Sequence, residues 1–162
     1  MYVRQVMASA VIVVKPRDSV AHARMLLEKH RVNQLPVSVD GKLVGIVTDR
    51  DLRDAFPSVV EISATARRRS ALHDPEAVDV ESVMTANVLT VEPDDKVEDA
   101  ARLMRRERIG AVPVLEGGHL VGIISRSDVL DVFVRAASST GNGEAIEVEP
   151  PRPLVSRATR AR

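Results

Sequence analysis

The 162-residue chain has no cysteine and no tryptophan, and only one tyrosine and two phenylalanines. Without cysteine there can be no disulfide, thiolate metal site or thiol nucleophile, which agrees with a reducing compartment. Aromatics make up 2% of the residues, so the 44% apolar fraction must form an aliphatic core of Val, Ala, Leu and Ile. Excess charge is also missing, since Lys plus Arg total 23 and Asp plus Glu total 23. No overall field draws such a chain onto nucleic acid or an anionic membrane. No segment approaches the roughly 18 apolar residues of a membrane span. The start, Met1-Tyr2-Val3-Arg4-Gln5, lacks the apolar stretch of a signal peptide. The expectation is a cytoplasmic protein with no membrane partner.

Catalytic apparatus is equally scarce. His22, His30, His73 and His119 show neither HxxH nor HExxH spacing, so no metal site is expected and they read as surface or helix-end residues. There is no phosphate-binding Gly-rich loop and no nucleophile elbow, and the paired acids Asp94-Asp95 are better explained by helix capping. The chain does not read as an enzyme.

What is present is a repeat. Val6-Met7 recurs as Val83-Met84, Pro16 as Pro93, Pro36-Val37 as Pro113-Val114, and Leu43-Val44-Gly45-Ile46 as Leu120-Val121-Gly122-Ile123. Every offset is 77 residues (83 − 6, 93 − 16), with no gap from position 6 to position 52. Each copy reads strand, helix, strand, strand, helix. Val11-Ile12-Val13-Val14, closed by Pro16, is the β-branched run of a buried strand. A helix follows, with Asp18 as N-cap and Val20, Ala23, Leu26 and Leu27 on one face; in the second copy Asp95 and Glu98 suit a reciprocal capping pair. Two apolar strands then flank Asp40-Gly41, or Gly117-Gly118, dipeptides that fit a two-residue turn with positive φ.

A single unit of this size cannot bury the apolar face of its sheet, so the copies are expected to pack about a pseudo-two-fold axis with two equivalent clefts between them. The boundaries read as repeat 1 over 1–55, a linker over 56–80, repeat 2 over 81–137 and a disordered tail over 138–162. Arg67-Arg68-Arg69 reads as part of a solvated linker, and nucleic-acid binding is not expected from so few aromatics.

The motif with chemical content follows each hairpin: Thr48-Asp49-Arg50-Asp51 and Ser125-Arg126-Ser127-Asp128. A hydroxyl followed three residues later by an acid is a helix-capping signature that needs no ligand. The same arrangement also suits phosphate plus ribose, because a helix N-terminus favours anions and a carboxylate accepts from sugar hydroxyls. Both readings stand at this point.

Taken together, the doubled Val-Met, β-branched run, Ala- and Leu-rich helix, Leu-Pro-Val or Val-Pro-Val, Leu-Val-Gly-Ile and [Thr/Ser]-x-x-Asp resemble a tandem CBS domain pair, or Bateman module, over most of residues 1–137. The first half and the segment from Thr48 to Pro57 are similar to the CBS part of AcuB-type acetoin-utilisation proteins. The resemblance implies an α/β (α+β) fold of two β-α-β-β-α repeats and a regulatory role. It also implies an adenosine-containing ligand (AMP, ADP, ATP or S-adenosylmethionine), no further cofactor, a homodimer and a regulated protein partner. One cleft would use Ile46, Thr48 and Asp51 with Val88, Leu89, Ile109 and Gly110. The other would use Ile123, Ser125 and Asp128 with Val11, Ile12, Val32 and Asn33. In each, the Asp holds the ribose and the apolar residues enclose adenine. Arg126 adds a cation to the Asp128 cleft, whereas Asp49 adds an acid at the equivalent position, so the Asp128 cleft is expected to bind nucleotide more tightly. The alternative is a structural dimerisation module with vestigial clefts.

Overall fold

A computed structural model of the chain describes residues 1–55 and 76–139. Helix α1 (Val20–His30), hairpin strands β1 (Gln34–Val39) and β2 (Lys42–Thr48), and helix α2 (Asp49–Ala55) form the first repeat. They recur as α3 (Val97–Glu107), β3 (Ala111–Glu116), β4 (His119–Ser125) and α4 (Arg126–Ser139). A short 3-10 turn precedes each repeat, Val3–Gln5 and Val80–Ser82. The fold is α+β, with two small antiparallel sheets, β1-β2 and β3-β4.

The hairpins form as the turn chemistry requires: φ is positive at Asp40 (50°) and Gly41 (78°), and at Gly117 (56°) and Gly118 (81°). The run Val11 to Val14 does not become a strand. Only Val14 pairs, in parallel with Val37, through Val14 N–H to Pro36 O (3.1 Å) and Ser38 N–H to Val14 O (2.9 Å). The next donors along that ladder are the nitrogens of Pro16 and Pro36, and neither carries a hydrogen. The same happens at Val91, bridged to Val114 between Pro93 and Pro113.

The expected caps are displaced by one residue. Ser19 is the N-cap of α1 and accepts from His22 N–H at 3.1 Å, while Lys96 begins α3 without a side-chain cap. Asp18 and Asp95 instead accept from Lys15 N–H and Glu92 N–H, each at 2.8 Å, closing the proline-containing turn before each helix.

Each repeat's core is closed by the other repeat's leading segment. Val80 is fully buried among Val14, Val20, Leu35, Val47 and Leu52 of repeat 1, with Val78, Val83 and Met84 packed alongside. Val3 is fully buried among Val97, Met104, Val112 and Ile124 of repeat 2, with Val6 and Met7 alongside. Val78 and Val80 fall within the expected 56–80 linker, yet Val80 is part of the core of repeat 1 and Val78 packs against it. Paired backbone bonds fix the exchange: Thr85 with Ile46 (2.9 and 3.0 Å) and Ala8 with Ile123 (2.9 and 3.0 Å). The approach is close enough to require glycine in the strands. A Cβ on Gly122 would lie 2.5 Å from Met7 Sδ, and one on Gly45 would overlap Met84 Sδ.

Charge distinguishes the two exchanged segments. Arg4 pairs with Asp94, whereas at the equivalent positions Glu81 faces Arg17 at 3.8 Å, so both signs are reversed. Arg17 also donates to Asp79 at 2.9 Å; this bond, then the Glu81 and Asp79 charges, raises the pKa of its guanidinium.

The core is aliphatic, and none of the buried apolar residues described is aromatic. Helix α4 runs through Ser139, one residue past the expected start of the tail at Ser138, and carries Leu130, Phe133 and Val134 about 60% exposed (61%, 65% and 59%). Arg67-Arg68-Arg69, His73 and the segment 140–162 lie outside the described residues.

Candidate functional site

Both [Thr/Ser]-x-x-Asp motifs sit where a strand turns into a helix, and both form reciprocal caps. Thr48 donates from N–H (2.8 Å) and Oγ1 (2.7 Å) to Asp51 Oδ2, and Asp51 N–H donates back to Thr48 Oγ1 at 3.2 Å. Ser125 and Asp128 repeat the pattern at 2.7, 2.6 and 3.3 Å. The local-capping reading is therefore seen directly. It consumes only Oδ2: among the described residues Oδ1 of each carboxylate has no hydrogen-bond partner, so capping leaves an acceptor for a ligand.

A cleft of about 760 Å³ opens between the repeats. Its size falls within the roughly 300–1,000 Å³ of small-molecule sites. Val11, Ile12, Val32, Asn33, Ile123, Ser125, Arg126 and Asp128, the full set expected for the second cleft plus Arg126, all line it. Of the first expected set only Thr48 and Gly110 reach this cleft. Ile46, Asp51, Val88, Leu89 and Ile109 do not line it. Ile46 is bridged to Thr85, and Leu89 is 43% exposed.

The charges that the sequence divides between two clefts border one. Asp49 and Arg50 line the same cleft as Arg126, because the N-terminal turn of α2 reaches it as well as that of α4. Asp49 Oδ2 is already paired with Arg53 Nη2 at 2.7 Å, and Arg53 lines the cleft too. Arg126 is held by Nε–H donating to Ile109 O and by its own N–H donating to Gly110 O, both at 3.0 Å. Sequence reasoning missed Arg31, Arg53 and Ser127. Arg31 ends α1 in the left-handed region (φ 53°), which places it beside Val32 and Asn33 on the cleft. The 77-residue offset held a usable signal: it relates Asn33 to Gly110 and Thr48 to Ser125 (110 − 33, 125 − 48), and this one cleft takes both members of each pair.

Among the described residues no His, Cys, Asp and Glu grouping could hold a metal ion, and no helix is long and apolar enough to cross a membrane.

A sheet hairpin followed by a helix capped from [Thr/Ser]-x-x-Asp, occurring twice with each copy closing the other's core, defines a paired repeat module. The CBS domain family matches residues 3–58 and 80–135, and the chain belongs to that family as a pair of CBS domains. A CBS domain-containing protein of Dictyostelium discoideum is 35% identical over 137 residues, covering 82% of this chain and 91% of that protein. An inosine-5'-monophosphate dehydrogenase of Korarchaeum cryptofilum is 38% identical over 120 residues, covering 74% of this chain but only 21% of the enzyme. Among solved structures, the CBS domain pair of protein MJ0100, in complex with 5'-methylthioadenosine and S-adenosyl-L-methionine, matches with TM-score 0.68 and 28% identity over 84% of this chain and 98% of that one. CBSX2 in complex with AMP matches with TM-score 0.69 and 30% identity over 84% and 98%. AcuB from Vibrio cholerae matches with TM-score 0.70 and 25% identity over 90% and 98%.

Proposed function

We propose that the chain is a non-catalytic cytoplasmic regulator that binds an adenosine-containing ligand, AMP, ADP, ATP or S-adenosylmethionine, in the cleft between its CBS repeats. The observation that carries this is the convergence of Ser125, Asp128, Val11, Ile12, Val32 and Asn33, from segments far apart in sequence, on one cleft. Asp128 Oδ1 accepts from the ribose hydroxyls, Ser125 and the start of α4 serve the ribose and phosphate, and the aliphatic residues enclose adenine. The CBSX2 and MJ0100 complexes, with AMP and with S-adenosylmethionine, support the ligand class. Binding acts on a partner by favouring the arrangement of repeats with the higher affinity.

The test is calorimetry on the full chain. A hydrogen bond to a charged group is worth about 1.5–3 kcal/mol, so Asp128→Ala weakens adenine-nucleotide binding roughly tenfold to a hundredfold. Unchanged affinity in a variant that still melts cooperatively overturns the assignment. A dimerisation module is the second reading, favoured by the exposed Leu130, Phe133 and Val134 on α4. We take that face as the surface for a second copy, compatible with ligand binding.

A further inference from the structure

We infer that the cleft selects the phosphate chain, preferring a nucleoside di- or triphosphate over a monophosphate and over S-adenosylmethionine. This rests on the adenosine-binding reading and adds to it a choice among its ligands. The chain's formal charge is zero, yet the cleft gathers Arg31, Arg50, Arg53 and Arg126 against only Asp49 and Asp128. Asp49 is matched by Arg53 at 2.7 Å, and Asp128 has one oxygen committed to capping α4. Arg31 and Arg50 have no ion-pair or side-chain hydrogen-bond partner among the described residues.

The ribose-holding groups and three of the four cations come from different repeats, while repeat 1 also supplies the adenine-enclosing Val11, Ile12, Val32 and Asn33. Ser125 and Asp128 lie at the start of α4 in repeat 2, whereas Arg31, Arg50 and Arg53 belong to repeat 1. Sharing one cleft with Asp128, these guanidinium groups favour a ligand that carries anionic groups in addition to its ribose. Guanidinium forks match phosphate oxygens two at a time, and each added phosphate offers another set. S-adenosylmethionine offers these guanidinium groups a single carboxylate and brings a sulfonium and an ammonium with it, so its net charge is positive, and Asp128 is already engaged with the ribose. Where the net lining charge is positive, that arrangement is unfavourable.

The experiment is calorimetric titration of the full chain with adenosine, AMP, ADP, ATP and S-adenosylmethionine at one ionic strength, then of Arg50→Ala and Arg53→Ala. ATP binds at least about tenfold more tightly than AMP, and S-adenosylmethionine more weakly than AMP. Each Arg variant loses roughly tenfold for ATP and far less for adenosine, and Arg50→Lys recovers part of the loss. Equal affinities for AMP and ATP, tightest binding of S-adenosylmethionine, or equal losses for adenosine and ATP in the Arg variants overturn the selectivity and leave the adenosine reading standing. Failure of every one of these ligands to bind overturns the adenosine reading itself.

Discussion

Substituting Gly122 by alanine tests the exchanged packing with a single methyl group. The new Cβ would sit 2.5 Å from Met7 Sδ, 3.1 Å from Met7 Cγ and 3.3 Å from the carbonyl oxygen of Ala8. Comfortable contact lies near 3.5–4.0 Å, so the sulfur must retreat by about 1 Å or more, and the Ala8 carbonyl leaves little room for the backbone to follow. Overpacking of this kind costs about 1–3 kcal/mol. For a chain of this size that is a fall in Tm of about 2–12 °C. Because Ala8 and Ile123 pair at 2.9 and 3.0 Å and both border the cleft, the shift also weakens nucleotide binding. Met7→Ala removes the obstructing sulfur. The double variant Gly122→Ala/Met7→Ala is therefore more stable than the sum of the single effects, by about 1 kcal/mol or more. Differential scanning calorimetry of the four proteins gives the result. Strict additivity, or a Gly122→Ala protein that melts with the wild type, refutes the close approach of the leading segment to β4.

Exchanging the charges of the two leading segments, Arg4→Glu with Glu81→Arg, sets like charges against Asp94 and Arg17. We expect a drop in Tm of a few degrees that shrinks in roughly 1 M salt, since these pairs are exposed, and recovery when Arg17→Asp and Asp94→Arg are added. No recovery in the fourfold variant shows that the reversed signs do not direct pairing. Phe133→Glu on the exposed face of α4 should shift the native mass spectrum from dimer to monomer without lowering the cooperativity of melting. An unchanged mass distribution removes α4 from the interface.

Some of this architecture was open to sequence reasoning, and the boundary has physical causes. The hairpins were legible because Asp40-Gly41 and Gly117-Gly118 meet a φ requirement that few other residue pairs satisfy. The capped starts of α2 and α4 were legible because the Thr48–Asp51 and Ser125–Asp128 side-chain bonds span only three residues. Val11 to Val14 misled, since β propensity says nothing about whether the neighbouring strand can donate, and Pro16 and Pro36 cannot. The exchange of Val3 and Val80 between cores was invisible because Val-Arg-Gln-Val-Met and Val-Glu-Ser-Val-Met fit either repeat equally by pattern. Symmetry assigns Thr48 and Ser125 to separate clefts; that both border one cleft depends on how the repeats pack, which the spacing within a single repeat does not encode.

The exchanged leading segments also limit how the protein can move. A hinge that swung the repeats apart as intact halves would pull Val3 and Val80 out of both interiors together, at a cost near that of unfolding. Relative motion of the repeats is therefore confined to small sliding displacements with both straps still threaded, along segments such as Ala8 to Ile12 that border the cleft at one end and follow a buried plug at the other. Assembly is constrained in the same way. Neither half can finish folding before its strap arrives, Val80 reaching back at least 28 residues to Leu52 (80 − 52) and Val3 forward at least 88 to Val91 (91 − 3), which makes closure of the pair a late and cooperative event.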